Sequence, residues 1–157
     1  MNAIESYESK FKSFVENNGV SGVCMQLDTS CHSAVSAAET LGVSISDIVK
    51  NICCIADDGH TVIITLQGED KVSLNKVKEA LGVHKVRIAI QEEVLSKTGY
   101  PCGGVPSFGY DALFLIDTKV LERTVVYTGG GGEFSLFKTT PQELARVSGA
   151  RILDVTK

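Results

Sequence analysis

The spacing of apolar residues predicts helices in five segments of the chain. In the first, one apolar face is formed by Ile4, Tyr7, Phe11, Phe14 and Val15, and Gly19 ends the helix. Serine or threonine caps the first N–H groups of a helix, and glycine adopts the left-handed conformation that ends one. Such residues mark the other four segments: Ser33 with Gly42, Ser73 with Gly82, residues 91–97 with Gly99, and Thr140 before Pro141 and Glu143. A short helical turn capped by Ser46 is expected to lead to Lys50.

Runs rich in isoleucine and valine lie between these segments and predict strands. Two hairpins are predicted, one from residues 52–56 and 61–66 around Asp57-Asp58-Gly59, the other from residues 125–128 and 133–137 around the glycine run 129–132. Single strands are predicted at residues 23–27, 85–89, 112–116 and 151–155. Because hairpins and crossovers are mixed, we expect an α/β chain of the α+β type, with a mixed sheet or partly closed barrel surrounded by helices.

Length and composition fit one globular domain over residues 1–157. The 19 acidic and 15 basic side chains give a net charge of −4, which argues against a protein that coats nucleic acid. A local contact with the end of a nucleic acid stays compatible with this charge. No apolar run is long enough to span a bilayer, and charged residues near the N-terminus do not fit a signal peptide. We therefore expect a cytoplasmic protein with no membrane partner.

The cysteines and histidines do not form a metal-binding pattern. The five cysteines are odd in number and include no C-x-x-C pair, so we expect reduced thiols and no metal; they are Cys24, Cys31, Cys53, Cys54 and Cys102. The three histidines, His32, His60 and His84, lack the spacing of a metal pair. Cys102 is retained as a candidate site residue because it lies in a glycine-rich loop, and Cys31-His32 is the other thiol candidate.

Three features could carry chemistry. Residues 98–109 contain four glycines and two prolines, a composition that can present backbone N–H groups to an oxyanion or a phosphate. The alternative is a tight connection between a helix and a strand. Lys50 lies between apolar residues, where it either holds an anion or extends to water. The glycine run 129–132 is either a flexible hairpin tip or a place where a ribose or a base comes close.

A set of short motifs in a fixed order extends from about Thr29 to the glycine run. The motifs are Leu41-Gly42-Val43, Asp47-Ile48-Val49-Lys50, Leu66-Gln67-Gly68-Glu69-Asp70, Ser73-Leu74-Asn75-Lys76-Val77, Thr98-Gly99-Tyr100, Gly103-Gly104-Val105-Pro106-Ser107-Phe108-Gly109 and Ile116-Asp117. In this order and at these spacings, the chain resembles the editing domains of bacterial-type prolyl-tRNA synthetases and their free-standing YbaK/ProX relatives.

The resemblance implies the fold of that family and an enzyme that hydrolyses the ester of mischarged aminoacyl-tRNA with a positioned water and no cofactor. The implied substrate is tRNA for proline carrying alanine, cysteine or serine, and the implied partners are the tRNA acceptor end and prolyl-tRNA synthetase. The implied catalytic residues are Lys50, Gly103 and Gly104. Substrate binding is expected at Thr98, Pro106, Ser107, Phe108, Gly129 and Gly130.

One position departs from the family pattern, and two other functions stay open. The proline that ends the family's G-x-x-x-P motif is replaced by Ser107, and Pro106 stands one residue earlier. The serine hydroxyl favours a polar or sulfur-bearing amino acid as substrate. The chain could instead be a binding module without activity, or a thiol-dependent hydrolase using Cys31 or Cys102. Phe108 and Tyr110 offer a stacking face for the terminal adenosine or belong to the core.

Overall fold

The computed structural model describes residues 3–30 and 33–157, with side chains described from Tyr7 onward. The predicted facing of Ile4 and the Cys31-His32 pair therefore lie outside the described residues. The helices are α1 (Ala3–Asn17), α2 (Ala34–Leu41), α3 (Leu74–Leu81), α4 (Gln91–Thr98) and α5 (Pro141–Ser148). The strands are β1 (Val23–Gln26), β2 (Val49–Ala56), β3 (Thr61–Gln67), β4 (Val86–Ile88), β5 (Leu113–Asp117), β6 (Val126–Gly129), β7 (Ser135–Thr139) and β8 (Arg151–Leu153). Two short 3₁₀ helices span Ile45–Asp47 and Thr118–Glu122.

The strands form two sheets. The larger has the order β4-β2-β3-β5-β8, in which β2 is antiparallel to β3 and β4, while β5 is parallel to β3 and β8. The smaller is antiparallel with the order β1-β7-β6. A parallel bridge between Ile48 and Tyr127 joins the start of β2 to β6. The predicted α+β class and mixed sheet are confirmed, and the strands divide between two sheets rather than closing a barrel.

The predicted caps at Ser33, Ser73 and Thr140 are confirmed, as is the end of α4 at Gly99. The Ser33 hydroxyl accepts a hydrogen bond from the Ser36 N–H at 3.0 Å, which satisfies a free donor of the first turn. Gly42 ends the same helix in the left-handed conformation, with φ 68°. The predicted cap at Ser46 is wrong. Ser44 caps the 3₁₀ turn instead, because the Ser46 hydroxyl donates to the Glu69 carboxylate.

The core lies on both faces of the larger sheet. Strand β3 is buried on both faces, which explains its nearly continuous run of apolar residues. On one face an aromatic cluster joins Phe11 of α1 to Phe108 and Phe137, with ring centroids 5.3–5.9 Å apart. On the other face, Val77 of α3 packs against Ile64 of β3. No helix in the described part of the chain is long and apolar enough to cross a membrane.

Candidate active site

A cleft of about 250 Å³ lies beside the first half of β2. Strand β4 pairs only with residues 54–56, so on that side the earlier residues of β2 are not covered by β4. The described lining comes from β2, the 98–109 loop, α2, α4 and the second hairpin, and comprises Ala34, Ile48, Val49, Lys50, Asn51, Ile52, Cys53, Val94, Cys102, Gly103, Val105, Gly129 and Leu136. Three predicted site residues, Lys50, Gly103 and Gly129, are thus brought together from distant parts of the sequence.

Lys50 supplies the positive charge of the cleft. It lies on β2 opposite Leu66, and its Nζ donates to the Gly68 carbonyl at 3.2 Å. Burial lowers the pKa of Lys50 below the ordinary lysine value, Asp70 opposes this shift, and Lys71 adds to it. Among the described residues, no carboxylate forms an ion pair with this ammonium. Because an ammonium has three N–H donors and only one is used by Gly68, two are available to a bound anion or carbonyl.

The 98–109 loop contributes Gly103 to the lining of the cleft. This residue is exposed and has φ 94°, a backbone conformation that residues other than glycine rarely adopt. Gly104 lies outside the described lining, and its N–H donates to the Pro101 carbonyl at 3.0 Å. Its carbonyl accepts from the Gly131 N–H at 2.8 Å. The backbone of Gly104 therefore holds two loops together, which leaves Gly103 as the member of the predicted pair that lines the cleft.

The glycine run 129–132 is packed rather than a free hairpin tip. A Cβ added to Gly129 would lie 2.1 Å from the Val105 carbonyl oxygen, so the two loops approach as closely as backbone allows. A Cβ on Gly131 would lie 2.6 Å from the Tyr7 carbonyl oxygen of α1. Gly129 lines the cleft, whereas Gly130 is buried and borders a separate groove beside α1 and β1. The structure therefore brings only the first of the two predicted glycines to the cleft.

Asn51 is a residue of the cleft that sequence reasoning missed. Its Nδ2 donates to the Val105 carbonyl and to Thr128 Oγ1, both at 2.9 Å. Its Oδ1 accepts from Thr65 Oγ1 at 2.7 Å and from Ser107 Oγ at 2.9 Å. The amide thus ties β2 to β3, β6 and the 98–109 loop. The available signal was a second polar residue, directly after Lys50, in an otherwise apolar run.

Ser107 has a structural part in this network. Its side chain is 1% exposed, and its Oγ lies 2.8 Å from Thr128 Oγ1 as well as donating to Asn51. Thr128 accepts from the Asn51 amide, so its own hydroxyl is left to donate to Ser107. The hydroxyl of Ser107 is therefore fully used inside the protein. The expectation that it favours a polar or sulfur-bearing substrate loses its basis, because the side chain does not line the cleft.

Three other predicted substrate-binding residues are buried beneath the cleft lining and do not face the cleft. The Thr98 hydroxyl donates to the Val94 carbonyl at 2.7 Å and is buried at the end of α4. Pro106 is buried, and its carbonyl accepts from the Tyr110 hydroxyl at 2.5 Å. Phe108 is 1% exposed and belongs to the aromatic core, so it has no free face for a base. None of the three lines the cleft.

The cysteines in and next to the cleft lack the features of a catalytic thiol: two have a raised pKa, and the third has no general base beside it in the described lining. Burial raises the pKa of Cys53 to about 11, and the pKa of its neighbour Cys54 to about 12, so both are protonated at neutral pH. Cys102 is exposed on the cleft wall. The described lining holds no aspartate, glutamate or histidine that could act as a general base. Nor do the described residues include a cluster of metal-ligating side chains.

This arrangement suits a reaction that needs little from protein side chains. The cleft offers one partly buried cation, the backbone of Gly103, and an apolar part of its lining formed by Ile52, Val94 and Leu136. A cation in a partly dry site stabilises negative charge more strongly than it does in water. Such a cleft can hold a small apolar group beside a carbonyl whose oxygen becomes negative during attack by water.

The chain is similar to known proteins both in sequence and in fold. The model of the aminoacyl-tRNA editing domain matches residues 28–147. The chain is 29% identical to the uncharacterized protein YwhH of Bacillus subtilis (strain 168), over 99% of this chain and 98% of YwhH. It is 21% identical to EbsC of Enterococcus faecalis, a candidate Cys-tRNA(Pro)/Cys-tRNA(Cys) deacylase, over 79% of this chain and 77% of EbsC. A crystal structure of a candidate trans-editing enzyme for prolyl tRNA synthetase has a TM-score of 0.89 and 27% identity, over 96% of this chain and 97% of that chain.

Proposed function

The chain belongs to the aminoacyl-tRNA editing domain family, and we propose that it is a trans-acting deacylase that hydrolyses the ester of mischarged tRNA. The observation that carries the proposal is that Lys50 and Gly103 line one small cleft, together with Gly129. The similarity to YwhH along nearly its whole length supports action as one domain over residues 1–157, separate from a synthetase.

The proposed reaction uses water as the nucleophile. A water oxygen bonds to the ester carbonyl carbon, the bond from that carbon to the ribose oxygen breaks, and a proton passes to the ribose oxygen. The two free N–H donors of Lys50 stabilise the carbonyl oxygen as it becomes negative, or hold the adjacent phosphate. Gly103 contributes through its backbone, which orients the ester and the water. The neighbouring ribose hydroxyl relays the proton, since the described lining has no general base.

Substrate choice is proposed to follow side-chain size. A cleft of about 250 Å³ shared with the ribose and the ester leaves room for a small side chain beside Ile52, Val94 and Leu136. Steric exclusion of a larger residue can be strong, whereas residues that differ by one methylene are separated by only about 10- to 200-fold. We therefore propose alanine, cysteine and serine on tRNA for proline as overlapping substrates.

The partners and location follow from the same proposal. The 3′-terminal aminoacyl-adenosine of the tRNA is the part that enters the cleft, and no cofactor takes part in the reaction. Prolyl-tRNA synthetase is a proposed partner, because the similar crystal structure is assigned as a candidate trans-editing enzyme for it. A cytoplasmic location is proposed, since mischarged tRNA is formed where translation takes place.

A panel of charged tRNAs tests the proposed function. We expect initial deacylation rates on tRNA for proline to be well above the uncatalysed rate when it carries alanine, cysteine or serine, and near the uncatalysed rate when it carries proline. Threonine should be intermediate or slow, because its side chain is larger. Fastest hydrolysis of the prolyl ester would contradict the size argument. Binding of these tRNAs with no hydrolysis of any ester would favour the binding-module alternative.

A cysteine-free variant separates the water mechanism from a thiol mechanism. With alanine at the buried Cys53 and Cys54 and serine at the other three positions, we expect deacylation to continue in the presence of a strong chelator. If that variant does not fold, the double change Cys31→Ser and Cys102→Ser gives the same comparison. Loss of activity in a folded double variant would establish the thiol-dependent hydrolase instead.

A further inference from the structure

A second and larger depression lies at the far end of β2. This groove, here called the α3–β4 groove, measures about 580 Å³ and is bounded by α3, β4 and the end of β2. Its floor is apolar and includes Ile55, Ala56, Leu74 and Val86. Its rim is polar and mostly basic, formed by Lys78, His84, Lys85 and Arg87 with Asn75 and Asp57. The proposed reaction uses none of these residues.

The charge of the α3–β4 groove is opposite to that of the whole chain. Its lining includes three basic side chains, Lys78, Lys85 and Arg87, besides His84, and one acidic side chain, Asp57. The chain as a whole has a net charge of −4. The Arg87 guanidinium donates two hydrogen bonds of 2.7 Å to the Glu93 carboxylate. Within residues 7–30 and 33–157, neither Lys78 nor Lys85 forms an ion pair, so these two ammonium groups are available to an outside anion.

The groove and the cleft both border β2. Lys50 and Ala56 lie six positions apart on this strand. At roughly 3.3 Å per residue, the two sites are about 20 Å apart. This distance corresponds to about six nucleotides along a duplex strand, at roughly 3.4 Å per nucleotide. A duplex whose 3′ end lies in the cleft is therefore long enough to extend to the groove.

We infer that the α3–β4 groove is a second contact surface for the tRNA substrate, where Lys78 and Lys85 bind the phosphodiester backbone of the acceptor stem. The inference rests on the proposed function, because it takes the aminoacyl end to be in the cleft. Phosphate contacts give affinity and orientation without reading sequence. The overall acidity of the chain is compatible with this role, since the basic residues Lys78, Lys85 and Arg87 are gathered at the groove.

Charge reversal tests this contact through binding, without any need for hydrolysis. The double variant Lys78→Glu and Lys85→Glu is expected to bind fluorescently labelled, uncharged tRNA for proline about ten-fold or more weakly at low salt. The slope of log affinity against log salt should fall by about 2, one for each lost phosphate contact. The matched control is Lys12→Glu and Lys138→Glu, the same change of charge at exposed positions on α1 and β7. It should keep both the affinity and the slope.

The kinetic arm uses two substrates that differ in length. On mischarged full-length tRNA, the groove variant should raise KM with little change in kcat, while its kcat/KM on an aminoacyl ester of the trinucleotide CCA should stay at the wild-type value. Equal weakening by the groove variant and its control, or no weakening by either, would overturn the inference. Tight binding that depends on Lys78 and Lys85 without hydrolysis would instead overturn the proposed function and leave the groove assignment standing.

Discussion

Lys50→Ala is expected to lower kcat/KM for mischarged tRNA by about 10²- to 10³-fold while leaving the fold intact. The ammonium is the single cation of the described cleft lining. Within the protein it donates one hydrogen bond, to the Gly68 carbonyl. Its removal takes away the group that is proposed to face the negative oxygen of the transition state. The loss of this one part-buried hydrogen bond should change the free energy of unfolding far less than the activation free energy. Initial deacylation rates and a denaturant melt on the same preparation measure both effects.

The control for this variant is Lys71→Ala, which removes a neighbouring charge that lies outside the cleft lining. It should retain nearly all activity. The pH profile gives a second readout. Because burial lowers the pKa of Lys50, the catalysed part of the rate should decline with rising pH earlier than an ordinary lysine would predict. A folded Lys50→Ala variant with near wild-type rates would show that the lysine is only a solvated side chain.

Gly103→Ala is expected to reduce turnover by about ten-fold or more, whereas Gly59→Ala should not. The two glycines form a matched pair, since φ is 94° at Gly103 and 91° at Gly59, and both are exposed. A Cβ in this left-handed region costs about 1–2 kcal/mol at either position. The two variants should therefore lose similar stability. Only Gly103 lines the cleft, so only its strain moves the backbone that is proposed to orient the ester.

Thermal or denaturant unfolding and deacylation rates, measured for both variants, decide this comparison. The diagnostic quantity is the activity lost at a given loss of unfolding free energy. A larger activity loss at Gly103 supports a role for its backbone in the cleft. Equal activity loss at the two positions would mean that turnover merely follows stability, and the special role of the loop would be withdrawn.

Local chemistry explains which parts of the fold were predictable. Helices were found wherever a capping residue and a terminal glycine framed an apolar stripe, as at Ser33 and Gly42, because these signals lie within one element. The start of β2 was missed, since Lys50 and Asn51 interrupt its apolar pattern. Those polar residues belong to a strand because loops and strands from elsewhere in the chain supply their partners, and no local pattern encodes such contacts.

The cleft was predictable in part for the same reason. Residue types and motifs identified Lys50, Gly103 and Gly129, and all three line the cleft. The direction of each residue in the 98–109 loop was not predictable, because packing against α1 and β7 turns Phe108 into the core. Ser107 likewise turns inward, where Asn51 and Thr128 satisfy its hydroxyl. The glycine content of the 98–109 loop alone does not show which of its residues line the cleft and which pack into the core.

The central claim is that the aminoacyl end of tRNA lies in the cleft formed by Lys50 and Gly103. It is tested most directly by titrating the ¹⁵N-labelled protein with an alanyl-adenosine analogue whose ester oxygen is replaced by nitrogen, so that the analogue is not hydrolysed. We predict saturable shifts of the backbone amides of Asn51, Gly103 and Gly129. Shifts confined to residues of the α3–β4 groove, or no saturable shifts at an analogue concentration that inhibits deacylation, would contradict this account.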